Sequence, residues 1–214
     1  MLDKKLIHQK EDAYFILSVI FSVMAYIGIA FTIIGIPILL AVVAILFFMQ
    51  GVFIGQIRGN GVKLSHKQFP DFYKKLEKLS QDMELKKTPD VYVVESSGML
   101  NAFATRFFGR NMVILYSEIF ELLKEGHEEE LTFVLAHELA HIKRNHMLKS
   151  LLLLPSSFMP FLTEAYSRGC EYTCDRMAAK YIESPNAAAN ALTVLAIGKD
   201  LFTHVDRDDY INQL

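Results

Sequence analysis

A chain of 214 residues with a formal net charge of -2 offers no basic field to a nucleic-acid backbone, and its lysines and arginines are dispersed, so no nucleic-acid partner is expected. A hydrophobic share of 52% and a mean hydropathy of +0.25 are high for a wholly soluble domain of this size, which places part of the chain in lipid. The only cysteines, Cys170 and Cys174, lie four apart in a helical pattern, a poor geometry for a mutual disulfide and in keeping with a reducing compartment.

From Ala13 to Ile57 there is not one Asp, Glu, Lys or Arg, enough for two membrane spans. Gly35-Ile36-Pro37 is the expected turn between them, which makes residues 1–60 a transmembrane hairpin with spans near 13–34 and 37–57. A cleavable leader has an apolar core of roughly 7–15 residues, far shorter than this run. Lys4, Lys5 and Lys10 precede the hairpin, Arg58, Lys63 and Lys67 follow it, and the turn carries no charge, so both termini are expected on the cytoplasmic side of a multi-pass cell-membrane protein.

Gly59-Asn60-Gly61 opens the second region, residues 61–214. Phe69, Phe72, Leu76 and Leu79 recur at helical spacing and predict an amphipathic helix over 68–84. Residues 91–94, 102–108 and 112–116 read as a small sheet of about three strands, with Gly109-Arg110-Asn111 as a hairpin turn. Ser117 is placed to cap a helix containing Ile119, Phe120, Leu122 and Leu123 that Gly126 ends. Glu128, Glu129 and Glu130 suit the N-terminus of the next helix and carry no catalytic role. Residues 150–163 are uncharged but too short to span and are interrupted by Pro155 and Pro160, which predicts a buried or interfacial connection, with a re-entrant segment as the alternative. Helices over 164–182 and 186–201 complete the chain.

The chemistry lies in His137-Glu138-Leu139-Ala140-His141, an H-E-x-x-H pattern inside an apolar helical run. Residues four apart share one helix face, so both imidazoles reach one zinc ion while Glu138 stands beside them. Zinc lowers the pKa of a bound water to about 7, and Glu138 is the expected base that takes its proton as the water attacks a peptide carbonyl. Arg144 and Met147 stand where a metzincin has Gly and His, so that branch fails. His146 is half a turn out of phase with His137 on a continuous helix and is expected to face solvent or cap the helix end. Glu171 and Asp175, E-x-x-x-D on a second helix, supply the expected third ligand and a carboxylate to orient a ligand imidazole, with Glu164 as the alternative ligand.

Taken with Pro89 to Val94, Asn101-Ala102-Phe103-Ala104, Val134 to Ile142 and Ser167-Arg168 ahead of Glu171, Tyr172 and Asp175, the chain resembles the HtpX-like and CAAX prenyl protease-type membrane zinc metallopeptidases, peptidase family M48. The resemblance implies a mainly α (α+β) fold, a transmembrane hairpin followed by a zincin-like helical catalytic domain, and one Zn2+ per chain. It also implies endopeptidase activity at the cytosolic membrane face on unfolded or membrane-protein polypeptides. Asn101, Ala102, Phe103 and Ala104 are then candidates to line the cleft as an edge strand that pairs with substrate, and Arg168 is a candidate to hold a carboxylate or polarise the oxyanion. The segment between zinc motif and glutamate is shorter than in HtpX-like proteins, so two spans rather than four are expected. Cys174 stands where the family often has Ala, and the sequence ends at Leu214 before the His-Pro segment of many relatives, whose loss would allow zinc binding with poor cleavage. A catalytically silent scaffold that binds clients without cutting is the other reading, and an intact Glu138 argues against it.

Overall fold

The computed structural model describes residues 4–95, 101–120, 126–198, 201, 204–206 and 209. After a 3-10 turn at Lys4–Leu6, α1 (Gln9–Ala30) and α2 (Gly35–Asn60) form the apolar hairpin. Both helices are long and apolar enough to cross a membrane, about 33 and 39 Å at 1.5 Å per residue, and most of their side chains face outward. The turn occupies residues 31–34, so Gly35 opens α2 instead of sitting mid-turn as the sequence predicts. Its place there is steric: a Cβ would stand 2.3 Å from the Ile29 carbonyl oxygen. Thr32 Oγ1 accepts from the Gly35 N–H at 3.0 Å and donates to the Ile29 carbonyl at 2.7 Å, which closes the turn.

The sheet has four strands rather than about three, in the order β1-β2-β4-β3. β1 (Val62–Lys63) is a two-residue strand, too short to leave a pattern in the sequence, and pairs antiparallel with β2 (Asp90–Val94). β2 runs parallel to β4 (Arg110–Tyr116), which pairs antiparallel with β3 (Ala102–Phe107). The expected Gly109-Arg110-Asn111 turn moves one residue back. Phe107 pairs with Arg110, and Phe108 and Gly109 both take positive φ (46° and 75°), the two-residue mirror-image turn that matches strand twist.

Strand alternation directs the sheet's two faces to different partners. Tyr92, Met112 and Ile114 pack against Ile54 and Ile57 at the end of α2. Val91, Val113 and Leu115 join the main core with α3 (Pro70–Asp82) and α4 (Glu128–Lys143). α3 is shorter than the predicted 68–84 because Phe69 adopts a left-handed conformation before Pro70 and the chain turns at Met83. α4 buries residues around its whole circumference, from Leu131 and Phe133 to Leu139 and Ile142, as expected of a helix enclosed by a sheet and by α6 (Leu162–Ala179) and α7 (Pro185–Ile197). Of the helix predicted after Ser117, Ile119 is buried and Phe120 stacks near Phe69 and Phe72, while 121–125 lie outside the described residues, as do 199 and 200 at the end of the last predicted helix.

Between α4 and α6 the chain makes a short α5 (His146–Leu152) and a 3-10 turn (Leu154–Phe158). The segment expected to be a buried or interfacial connection is buried on one side and exposed on the other. Leu153, Pro155 and Ser156 are buried, but Leu151, Leu152, Phe158 and Phe161 are exposed. α1 lies along α6, and a Cβ on Gly169 would come within 2.8 Å of the Glu11 backbone nitrogen, so the two helices touch there backbone to backbone.

Candidate active site

Two helices and one strand build the site. α4 presents His137 and His141 one turn apart, and α6 presents Glu171 and Asp175 one turn apart. His137 Nε2 is 3.1 Å from His141 Nε2 and 3.1 Å from Glu171 Oε2, and His141 Nε2 is 3.6 Å from the same oxygen. Zinc bonds to nitrogen and oxygen of about 2.0–2.2 Å require donor separations of roughly 3.3 Å around a tetrahedron, so this triangle fits the ion. The fourth direction opens to a cleft of about 420 Å³ lined by Glu138, His141, Glu171, Ala102, Phe103 and Ala104.

The other ring nitrogen of each histidine is also held. His137 Nδ1 donates to Asp175 Oδ1 at 2.9 Å, which turns the Nε2 lone pair toward the triangle. Behind His141 stands His146, with its Nδ1 3.0 Å from His141 Nδ1 and its Nε2 3.2 Å from Glu11 Oε1. One proton arrangement satisfies this chain: His141 Nδ1–H donates to His146 Nδ1, and His146 Nε2–H donates to Glu11. His146 is therefore buried at 4% exposure, contrary to the expectation that it faces solvent. The helical phase argument fails because α4 stops at Lys143 and Asn145 takes a left-handed conformation (φ 55°), which swings His146 back beneath His141.

Glu11, the first buried residue of α1, was not singled out from sequence, and no local pattern marks it. Its Oε1 accepts from Arg144 Nη2 at 2.6 Å and Nε at 3.1 Å, and Lys149 Nζ lies 3.5 Å away. His146 had a legible signal, an Asn-His pair where left-handed Asn interrupts the helix.

Burial alone would lower the pKa of His137, but the hydrogen bonds to Asp175 and Glu171 outweigh it and raise the group to about 10. Glu171, despite a burial effect in the opposite sense, is held well below the usual carboxylate range by His137 and His141. Burial raises Glu138 above its ordinary value, opposed by the two imidazoles and by a hydrogen bond from the Ala104 N–H of β3. The site thus sets two carboxylates, Asp175 and Glu171, around His137, a balance of charge that suits a cation.

Two buried cysteines approach this region. Cys174 lies within 4.8 Å of ligand atoms of His137 and His141, and Cys170 is equally close to Glu11 and His146. Both thiols are held protonated by burial, which makes them poorer metal donors than the Glu171 carboxylate. Burial pushes the Cys170 thiol up to about 12 and Cys174 well above its usual value, while Arg144 and Lys149 already neutralise Glu11. Of the remaining sequence candidates, β3 is the edge strand of the sheet beside the cleft, and the Phe103 ring stacks on Phe53 of α2. Asn101 is exposed, its side chain accepting from the Ala102 N–H at 2.8 Å. Arg168 and Glu164 are exposed on α6 and line no part of the cleft. A larger cavity of about 660 Å³ lies elsewhere, between the 84–90 segment and the β3–β4 tip, and its lining includes none of His137, Glu138, His141, Glu171 and Asp175.

Comparison with known proteins shows what the chain is similar to. The family model described as Peptidase family M48 matches residues 66–160, which takes in His137, Glu138 and His141 and ends before Glu171. A "Protease HtpX homolog" of Halobacterium salinarum is 38% identical over 37% of this chain and 26% of that protein. A second "Protease HtpX homolog", from Fusobacterium nucleatum, is 30% identical over 53% of this chain and 48% of its own length. The "Plastoglobule-localized metallopeptidase 48, chloroplastic" of Arabidopsis thaliana is 28% identical over 65% of this chain and 44% of that protein. The matches span half or less of each of these relatives.

Proposed function

Because the chain is an HtpX-like protein of peptidase family M48, we propose that it is a membrane-anchored zinc-dependent metalloendopeptidase, with unfolded or membrane-protein polypeptides as substrates and its cleft at the cytosolic membrane face. The observation that carries this reading is the triangle of His137 Nε2, His141 Nε2 and Glu171 Oε2 with Glu138 beside it in the same cleft.

His137, His141 and Glu171 would hold the ion, which when bound supplies a Lewis acid that acidifies water and polarises a carbonyl. Asp175 and His146 hold the two imidazoles in the tautomers that leave their Nε2 lone pairs free. Glu138 is the base. Its raised pKa suits a carboxylate that takes a proton from the attacking water and hands it to the departing amine. The Ala104 N–H keeps that carboxylate at the rim of β3, and the outer edge of β3 offers backbone groups to an extended substrate strand. Among the described residues, Glu138 and Glu171 are the carboxylates that line this cleft next to the two imidazoles.

Detergent-purified protein incubated with an unfolded model substrate is the test, against Glu138→Gln with zinc content determined for both. The parent is expected to cut and the variant to lose about 10²–10⁴-fold in rate while keeping its zinc. Equal cutting by both would refute the role of Glu138, and a parent without zinc would refute the site.

A further inference from the structure

The structure carries two exposed apolar tips, one following the cleft residues Ser150 and Thr163 and the other at the far end of β3, and both lie alongside the hairpin helices rather than beyond their ends. The first is the link from α5 to α6. Its register against α1 is pinned where Gly169 meets Glu11, and Phe161 stands eight residues before Gly169, about 12 Å further along the direction in which α1 runs. The same depth follows independently from α5. His146 touches Glu11, and Leu152, six helical residues on, is roughly 9 Å further. At that level Tyr26 Oη lies 3.4 Å from the Leu152 carbonyl oxygen, and Ser18 and Ser22 of α1 are buried. The outer side of the link nevertheless exposes Phe158 at 89% and Phe161 at 80%.

The second tip is the β3–β4 turn. Phe107 and Phe108 pack on Phe47 of α2 with centroids 5.4 and 5.0 Å apart, and Phe107 lies 3.4 Å from the position of a Cβ on Gly51. In an antiparallel hairpin that turns at residues 31–34, Phe47 also lies about 10 Å past the level of Glu11. Phe108 is 75% exposed. Charges mark the plane below both tips: Glu11 is gripped by Arg144 and Lys149, and on the other side the cavity behind the hairpin is lined by Lys86, Lys87, Arg106, Arg110 and Lys143 with two carboxylates. Lys149 reaches that plane by lying across the Phe15 ring, 4.9 Å from its centroid, as a cation does when its backbone is in an apolar layer.

We propose that the α5–α6 link and the β3–β4 tip both enter one leaflet of the bilayer beside the two spans, Phe158, Phe161 and Phe108 contacting acyl chains, so that the cleft opens at the lipid boundary. The inference rests on the reading of α1 and α2 as membrane spans. The occupant is lipid because the tips continue the apolar surface of the spans at a depth of about 10 Å, within the roughly 15 Å half-thickness of the hydrocarbon. A surface of exposed phenylalanines there is otherwise an aggregation liability.

The chain contains no tryptophan, so a single introduced Trp reports its own surroundings. Phe158→Trp and Phe108→Trp, each in the full chain reconstituted into phosphatidylcholine vesicles, are compared with Phe48→Trp on the outward face of α2 and Leu192→Trp on α7. Acyl-chain-brominated lipid is expected to quench Trp at 158, 108 and 48, with blue-shifted emission, and to leave Trp at 192 unaffected. Quenching at 48 with none at 158 and 108, and aqueous iodide quenching those two instead, would overturn the inference while leaving the spans intact. No quenching at 48 would overturn the span reading and the inference with it.

Discussion

At the scale of single residues the site is a set of hydrogen bonds with one consistent proton assignment. His137 keeps its proton up to about pH 10 in the metal-free protein, and zinc needs the neutral Nε2, so zinc binding between pH 7 and 9 is expected to release a proton from this residue. The sign follows: apparent affinity rises with pH, about tenfold per unit, until His137 loses its proton unaided. Calorimetry in two buffers of different ionisation enthalpy reads the proton directly, and pH-independent binding without proton release would contradict the arrangement. Asp175→Ala removes the acceptor that fixes His137 and is expected to weaken zinc about 10–100-fold. His146→Ala should weaken zinc in the same sense, because His141 then loses the partner of its Nδ1. Competition with a zinc chelator measures both, and an unchanged affinity for His146→Ala would reduce that histidine to packing.

At the scale of elements, residues with positive φ fall where the chain changes direction between one element and the next. Phe108, Asn145 and Phe161 all have positive φ, a conformation that costs most L-residues about 1–2 kcal/mol and that Asn tolerates better. Asn145 is what turns His146 under His141. Asn145→Val is expected to destabilise the fold by about 1–2 kcal/mol and to weaken zinc with it, whereas Asn145→Gly should keep both. Thermal unfolding in detergent with and without zinc separates these outcomes. Phe108 occupies the first turn position of a mirror-image hairpin, where Asn before Gly109 is the favoured residue. Phe108→Asn is accordingly expected to raise stability in detergent by a few tenths to about 1 kcal/mol, a gain that the lipid-facing ring forgoes.

At the scale of the whole molecule, the hairpin is joined to the rest by more than a linker. α1 covers the face of α6 that carries Tyr166 and Cys170, α2 covers the sheet face that carries Tyr92, Met112 and Ile114, and Glu11 brings a carboxylate to His146 behind His141. A fragment of residues 61–214 exposes both apolar faces and leaves Arg144 and His146 without Glu11. It is expected to aggregate and to hold substoichiometric zinc, measured by light scattering and metal content. A monomeric fragment with full zinc would show that the anchor is dispensable to the site.

Much of this was legible locally. A 45-residue uncharged run is long enough for two membrane spans whatever follows it, H-E-x-x-H brings three groups together on one stretch of helix by backbone geometry alone, and E-x-x-x-D sets two carboxylates on one face of a second helix. The apolar alternation of β2 and β4 and the stripe of α3 were readable for the same reason, since each is a short-range periodicity. What the sequence could not decide is everything that depends on two distant segments meeting. The two-residue β1 has no periodicity to read and exists only through its pairing with β2. The burial of His146 depends on a helix break at Asn145, and the place of Glu11 on the packing of α1 along α6, more than 130 residues away in the chain. The depth of the two phenylalanine tips is likewise a property of which helices they lie against, because hydrophobicity determines that a side chain leaves water but only packing determines which apolar surface it joins.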